Sequence, residues 1–225
     1  VVTTPTDQRT KDVVAQVPNA RCYETDAFYR YGAKFNKGLA MEEGLENLGR
    51  EGWICIFDAD TLFPDVMPLE LTIGNLYTPP RLILEDPRLW SPVFNWATAT
   101  PSNDRQFPGY FQLFHASDPN IAELPWYDVT SAHAGLGDGY FQSRWAPQNK
   151  IRPNFNVLHL GPRDTNWFGR SSVRVDGTLP EQAEQHKQAQ EEFLHFKGWH
   201  RPKTSIPDYS ERVDVPNAQP LPWKH

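Results

Sequence analysis

The chain has 225 residues, 39% hydrophobic and 13% aromatic, with a formal net charge of −6. That supplies one sizeable core, so a single domain is expected, and the acid excess excludes a protein that coats nucleic acid non-specifically. No apolar run has the length a bilayer crossing needs. No signal peptide is read, and the two cysteines, Cys22 and Cys55, read as buried inert thiols, which favours a reducing, cytoplasmic setting.

In chain order, residues 1–4 read as a short strand, and the lack of an initiator Met suggests that some natural N-terminal sequence is missing. A turn at Pro5-Thr6-Asp7 follows, then one or two helical turns over 12–17 and a second strand over 20–24. Residues 36–48 take a helical pattern, with Leu39, Ala40, Gly44, Leu45 and Leu48 on one side and glutamates between them; Gly49 and Gly52 end it. A strand at 54–57 comes next. Strand, helix and strand in this order predict βαβ units and a mixed, mainly parallel sheet flanked by helices. Further strands are expected at 81–84, 110–115 and 155–160, a helix at 137–145, and a surface helix at 180–197. The domain is drawn over 1–198, with 199–225 an irregular tail.

The segment Trp-Ile-Cys-Ile-Phe-Asp-Ala-Asp-Thr-Leu-Phe-Pro, residues 53–64, carries the most chemistry. Its apolar run has the β-branched content of a buried strand and stops at two carboxylates, Asp58 and Asp60. On an extended backbone residues i and i+2 point the same way, so both can converge on one hard cation, Mg²⁺ or Mn²⁺. The plainer reading is an Asx-rich turn.

Four other features accompany it. Phe35-Asn36-Lys37-Gly38 opens the 36–48 helix, and a helix N-terminus with a lysine suits a phosphate or ribose; an ordinary Asn cap is the alternative. Gly135-Leu136-Gly137-Asp138-Gly139 holds one carboxylate in a glycine-rich bend, as a general base or as a helix cap. His159 ends an apolar strand, as a satisfied core residue or as a third metal ligand. Trp167, Arg163 and Arg170 offer a stacking ring and guanidinium groups for phosphate. The last lie in a basic stretch, with Arg144, Lys150, Arg152, Arg163, Arg170 and Arg174 opposed by Asp164 alone. It reads either as solvated surface or as a rim facing an anion.

The ordered series Pro-Thr-Asp, Phe-Asn-Lys-Gly, Phe-Asp-Ala-Asp, Gly-Tyr-Phe-Gln-Leu-Phe, Gly-Asp-Gly-Tyr-Phe and His-Leu-Gly resembles the GT-A glycosyltransferases, in particular the inverting family 2-type and β-1,4-galactosyltransferase-like enzymes. The likeness spans residues 1–161 as short motifs, not continuous identity. It implies a single GT-A (Rossmann-like) domain and a metal-dependent inverting hexosyl- or pentosyltransferase using Mn²⁺ or Mg²⁺ and a nucleoside diphosphate-sugar donor, a UDP-sugar foremost. It further implies that Asp60 ligates the metal, that Asp58 touches the ribose or the metal through water, and that His159 completes the set. Asp138 matches the catalytic base. Phe35, Asn36 and Lys37 match a nucleotide-contacting segment, Thr4 and Asp7 fall where the nucleobase lies, and Arg163 and Arg170 would neutralise the leaving group.

Two departures stand out: the family's opening strand, with its Pro and polar loop, is missing, and the acidic pair at the base position is Gly137-Asp138, one carboxylate only. A nucleotidyltransferase and a non-catalytic carbohydrate- or nucleic-acid-binding module are the alternatives. The acceptor is open among a glycan, a lipid-linked sugar and a modified DNA base, the last implying a bacteriophage enzyme working in the host-cell cytoplasm. Trp90, Trp96 and Trp126 are candidates to stack on it.

Overall fold

Strand β1 (Val2–Thr3) passes through helix α1 (Gln8–Ala15) to a parallel partner, β2 (Tyr23–Glu24). The computed structural model describes residues 1–30, 33, 35–102, 107–130, 137–161, 191 and 195–198. α1 starts four residues earlier than the sequence pattern indicates because Asp7 caps it, accepting hydrogen bonds from the Thr10 backbone N–H at 3.1 Å and the Thr10 hydroxyl at 2.6 Å. The capping side chain satisfies amide donors that a helix start leaves orphaned.

Helix α2 (Lys37–Leu48) has the expected span. Asn36 caps it, its Oδ1 accepting from the Leu39 N–H at 2.9 Å while its Nδ2 donates to the Val129 carbonyl at 2.8 Å. Leu39, Ala40 and Leu45 are buried, and so, against the polar-face expectation, are Glu42 and Glu43. Each is compensated, as burial of a charge requires. Glu42 accepts from the Tyr127 N–H and from Arg50; Glu43 accepts from the Thr25 hydroxyl and from Arg30. In the first turn of α2 the chain needs glycine for close approach: a Cβ on Gly38 would stand 1.9 Å from the Asp128 carbonyl oxygen.

The remaining strands are β3 (Trp53–Phe57), β4 (Thr61–Leu62), β5 (Leu76–Tyr77), β6 (Arg81–Leu84), β7 (Thr100–Pro101), β8 (Phe111–His115), β9 (Lys150–Ile151) and β10 (Val157–Leu160), with α3 (Gly137–Gln142) between β8 and β9. They form two open mixed sheets, ordered β3-β8-β5-β9 and β4-β10-β6-β7. The mixed α/β class holds, but the expected parallel majority does not: among the described residues three pairings are parallel and four antiparallel. β3 pairs antiparallel with β8, Ile54 opposite Phe114 and Ile56 opposite Gln112. Two-residue strands such as β4, β5, β7 and β9 carry too little alternation to be read from sequence. α3 stops three residues short of the expected 145.

α2, α3 and the β3–β8 sheet enclose the main core of Leu45, Leu76, Phe114, Ile121, Trp126, Tyr127, Phe141 and Trp145, with Ile54 and Ile56 packed on it. Phe141 is at its centre, stacked on Tyr127 at 4.2 Å and 4.9 Å from both Phe114 and Trp145. The other face of β8 carries Phe111 and Leu113 into a second cluster with Tyr77, Tyr110 and Val157.

β3 is not the fully buried strand its composition suggests. It ends its sheet, and the residues alternating with Ile54 and Ile56 face outward: Trp53 is 37% and Phe57 49% exposed. Cys55 shares that face and is exposed, as is Cys22, so the expectation of two buried thiols is corrected; both are free. The alternation follows from the period of two along a strand with one buried side. The expected 180–197 helix and the 199–225 tail lie outside the described residues, apart from residues 191 and 195–198. No helix of the described residues is long and apolar enough to cross a membrane.

Candidate functional site

The peptide turns sharply after β3. Asp58 and Asp60 do not sit on an extended backbone: the Thr61 N–H donates to the Asp58 carbonyl at 3.1 Å, closing a four-residue turn into β4. The i, i+2 strand geometry inferred from sequence is therefore corrected; a turn, not a strand, presents the two carboxylates. The turn is fixed at both ends. The Asp58 N–H donates to the Tyr110 carbonyl at the start of β8, and the Leu160 N–H at the end of β10 donates to the Asp60 carbonyl at 2.9 Å.

That second bond brings β10 alongside. His159, opposite Thr61 in register, is 6% exposed, and its Nδ1 stands 3.4 Å from Asp60 Oδ1. The Nδ1 atom is buried and makes no hydrogen bond.

Lys37, the first residue of α2, reaches into the same place. Its Nζ donates to Asp58 Oδ1 at 2.7 Å and lies 3.8 Å from Asp138 Oδ1, on the first turn of α3. The side chains keep partial access to solvent: 34% of Asp58, 28% of Asp60, 14% of Asp138 and 19% of Lys37. Burial works against the Lys37 ammonium, but the charges of Asp138, Asp58 and Asp60 outweigh it and hold its pKa above the ordinary lysine value. Burial pushes the Asp58 carboxyl up, opposed by Lys37 and reinforced by Asp138 and Asp60. These mutual influences place all three aspartates in one electrostatic cluster.

Gly109 makes the cluster possible. A Cβ there would lie 2.0 Å from Asp138 Oδ1, so only glycine leaves room for this carboxylate against the start of β8. The glycines around Asp138 were the expected source of close approach, yet a Cβ on Gly137 or Gly139 would meet nothing within 4 Å. An isolated glycine ahead of a strand was the available signal for Gly109. Tyr127 was also missed. Its buried phenol donates to Gln112 Oε1 at 2.9 Å and its ring stacks on Phe141, joining the core to the floor of the cluster. Burial, then the charges of Asp138 and Glu42, push that phenol well above its usual range.

Asp58, Asp60, Asp138, Lys37 and His159 are thus brought together. The others are placed differently. Asn36 is 1% exposed and caps α2, its Oδ1 committed to the Leu39 N–H and its Nδ2 to the Val129 carbonyl. Phe35 stacks on Phe28 at 5.0 Å. Asp7 is committed to Thr10 and to the Thr3 hydroxyl, and Thr4 to Thr6; neither bonds to the cluster. Arg163, Arg170 and Trp167 lie outside the described residues. Of the basic stretch, Arg144 donates to the Pro125 carbonyl at 2.5 Å and stacks over Tyr140, and Arg152 stacks over Phe107. Trp126 is buried in the core, which removes it as an acceptor platform. Trp96 lines a cavity of about 570 Å³ with Leu82, Ala99, Pro101 and Asn156. Leu82, Ala99 and Trp96 pack with Leu158, so by strand alternation this cavity opens on the sheet face opposite His159.

The donor set of two carboxylates and an imidazole has the chemistry for Mn²⁺ or Mg²⁺, and the buried Nδ1 of His159 without a hydrogen bond is the kind of atom that awaits a ligand. Among the described residues, however, no three His, Cys, Asp or Glu side chains stand so that they could hold a metal ion as placed. Asp58 Oδ1 instead accepts from the Lys37 ammonium at 2.7 Å. No protein-family model matches this chain, and no curated protein or solved structure does either.

Proposed function

We propose that the chain is a GT-A glycosyltransferase: metal-dependent, inverting, and moving a sugar from a nucleoside diphosphate-sugar to a hydroxyl acceptor. The observation that supports this reading most is the convergence of Asp58, Asp60 and Asp138 on Lys37, with His159 beside Asp60. A carboxylate from a helix start could accept an acceptor hydroxyl's proton, and those of the strand-end turn are oxygen ligands for a metal that would carry a diphosphate.

In this reading Asp58, Asp60 and His159 would hold the Mn²⁺ or Mg²⁺ only after moving closer together, since no three described side chains are arranged to hold a metal ion as placed. When bound, that ion supplies Lewis-acid neutralisation of the departing diphosphate. Asp138, 14% exposed and next to solvent, takes the acceptor's proton as the hydroxyl attacks the anomeric carbon from the face opposite the leaving group. Lys37, at the N-terminus of α2, is placed to meet the phosphates, which a helix start and an ammonium both favour. Arg163 and Arg170 are proposed as further partners of the leaving group. The acceptor is a glycan, a lipid-linked sugar or a modified base in DNA.

The test is a screen of nucleotide sugars for donor hydrolysis and for thermal stabilisation of the protein, with and without Mn²⁺. A released nucleoside diphosphate supports the reading. Released pyrophosphate replaces it with nucleotidyl transfer. Acceptor binding without turnover of any donor replaces it with a binding module.

A further inference from the structure

We propose that residues 87–99 form a membrane-docking face: Leu89, Trp90 and Val93 enter the surface of an electrically neutral lipid layer, and the cavity beside Trp96 receives a hydrocarbon chain from it. The inference stands apart from the glycosyltransferase reading, since it uses none of the side chains of the carboxylate cluster.

The segment between β6 and β7 divides its apolar side chains. Phe94 and Trp96 pack inward with Leu84, Ala99 and Leu158. Leu89, Trp90 and Val93 are exposed, Val93 to 90%. The backbone that holds them out is tied at each step. Asp86 and Asn95 accept from the Arg88 and Ala97 N–H groups at 3.1 Å, capping the one-turn helices Pro87–Leu89 and Trp96–Thr98. Between the two, the Phe94 N–H donates to the Ser91 carbonyl at 2.9 Å. Single exposed apolar residues are ordinary on a protein surface, but three within five residues, presented by fixed turns beside an apolar cavity, mark a contact surface.

Charge and polarity select the partner. Residues 89–101 contain no charged side chain, in a chain that is 22% charged. Arg88, at the edge, is neutralised by Asp86, whose two carboxylate oxygens accept from its Nε and a terminal nitrogen, each at 2.8 Å. The cavity of about 570 Å³ repeats the pattern: apart from Asn156 and the Trp96 indole, its described lining is hydrocarbon. That volume is within the usual range of a ligand site. Pro64 forms another wall, and the residues two and three positions beyond it, Val66 and Met67, are exposed as well. A protein partner is held by directional hydrogen bonds, about one per 100–200 Å², and this face has few side chains to make them. A hydrocarbon phase needs none, and tryptophan is favoured at its boundary with water. Because the patch is neutral and the chain carries a formal net charge of −6, anionic lipid adds no attraction.

The experiment floats the full chain on a density gradient with vesicles of phosphatidylcholine and, in parallel, with vesicles containing phosphatidylglycerol. The wild type is expected to float with phosphatidylcholine, no better with phosphatidylglycerol, and to stay bound when salt is added. Val93→Asp, at an exposed position, is expected to keep the wild-type melting temperature and to weaken vesicle affinity about tenfold or more. Ala97→Phe, which narrows the cavity from an exposed position, is expected to weaken it by a smaller factor. A wild type that does not float with phosphatidylcholine overturns the proposal, whatever the variants do. Flotation only with phosphatidylglycerol, released by salt, overturns it in favour of an electrostatic contact elsewhere. A folded Val93→Asp that floats like the wild type overturns it too, and unchanged affinity in Ala97→Phe removes the cavity from the docking face. Self-association of the wild type that Val93→Asp abolishes, without vesicle binding, assigns the face to a second copy of the chain instead.

Discussion

Lys37 Nζ donates to Asp58 Oδ1 across 2.7 Å, tying the first residue of α2 to the residue that follows β3. The two are 21 positions apart, with helix, turn and strand between them. The pair therefore fixes how α2 lies on the β3–β8 sheet as well as the charge of the site, and the function of this cluster can be addressed one carboxylate at a time.

Asp60 is the first. Its side chain is 28% exposed, so Asp60→Ala removes little packing and the chain should keep its fold. Stabilisation by Mn²⁺ with UDP should disappear. Thermal unfolding with and without the two ligands reads this directly. Unchanged stabilisation would take Asp60 out of the metal site, and loss of folding would return the 58–61 turn to a structural role.

Asp138→Asn keeps the shape of the side chain but cannot accept a proton. A general base contributes about 10²–10⁴-fold to rate, so turnover should fall by that order while donor affinity barely changes. The wild-type product should carry the anomeric configuration opposite to the donor's, as seen by NMR. A near-normal rate for the variant, or retained configuration, would leave Asp138 as the first-turn acid of α3 and nothing more.

Gly109→Ala tests the packing that brings Asp138 in. The new Cβ would stand 2.0 Å from Asp138 Oδ1, so the carboxylate must shift. The expected stability cost is about 1–3 kcal/mol, as for other overpacking substitutions, and turnover should drop well beyond what that cost explains. Gly139→Ala, where the Cβ meets nothing within 4 Å, is the control. Equal turnover in the two variants would detach Gly109 from the site.

Asp7 gives a pH signature. The Thr10 hydroxyl and N–H and the Thr3 hydroxyl hold its carboxyl below the ordinary aspartate value. A folded pKa lower than the unfolded one makes the charged cap stabilising above that unfolded value, and the contribution is lost as pH falls through the folded pKa. The stability difference between wild type and Asp7→Ala should therefore be constant from neutral pH to about pH 4 and shrink below it, in urea titrations at stepped pH. A difference independent of pH would show that the cap does not act through its charge. Nucleotide binding should be indifferent to the change, since Asp7 bonds within its own turn.

Much of this was legible locally. The span of α2 follows from Asn36 and the recurrence of Leu39, Ala40 and Leu45, and β6 and the start of α3 fall where the pattern puts them. That two aspartates follow an apolar strand, and that Asp138 opens a helix, are facts of sequence. Such features are fixed by backbone preferences and by side-chain periods of two and 3.6, which act within a few residues. What the sequence could not state is which strand β3 joins. Ile54 lies opposite Phe114, sixty residues on, in antiparallel register; that choice depends on how Phe114, Phe141 and Trp126 fill one core, not on any local preference. The same holds for the cluster. Lys37 meets Asp58 and Asp138 only because Gly38 admits the Asp128 carbonyl and Gly109 admits the Asp138 carboxylate, and both contacts exist between segments far apart in the chain. The residue types, the order of elements and the Asx-rich turn after β3 were legible in sequence alone; the exposed face of β3 and the lysine among the carboxylates were decided by tertiary packing, because steric fit and charge pairing act across space rather than along the chain.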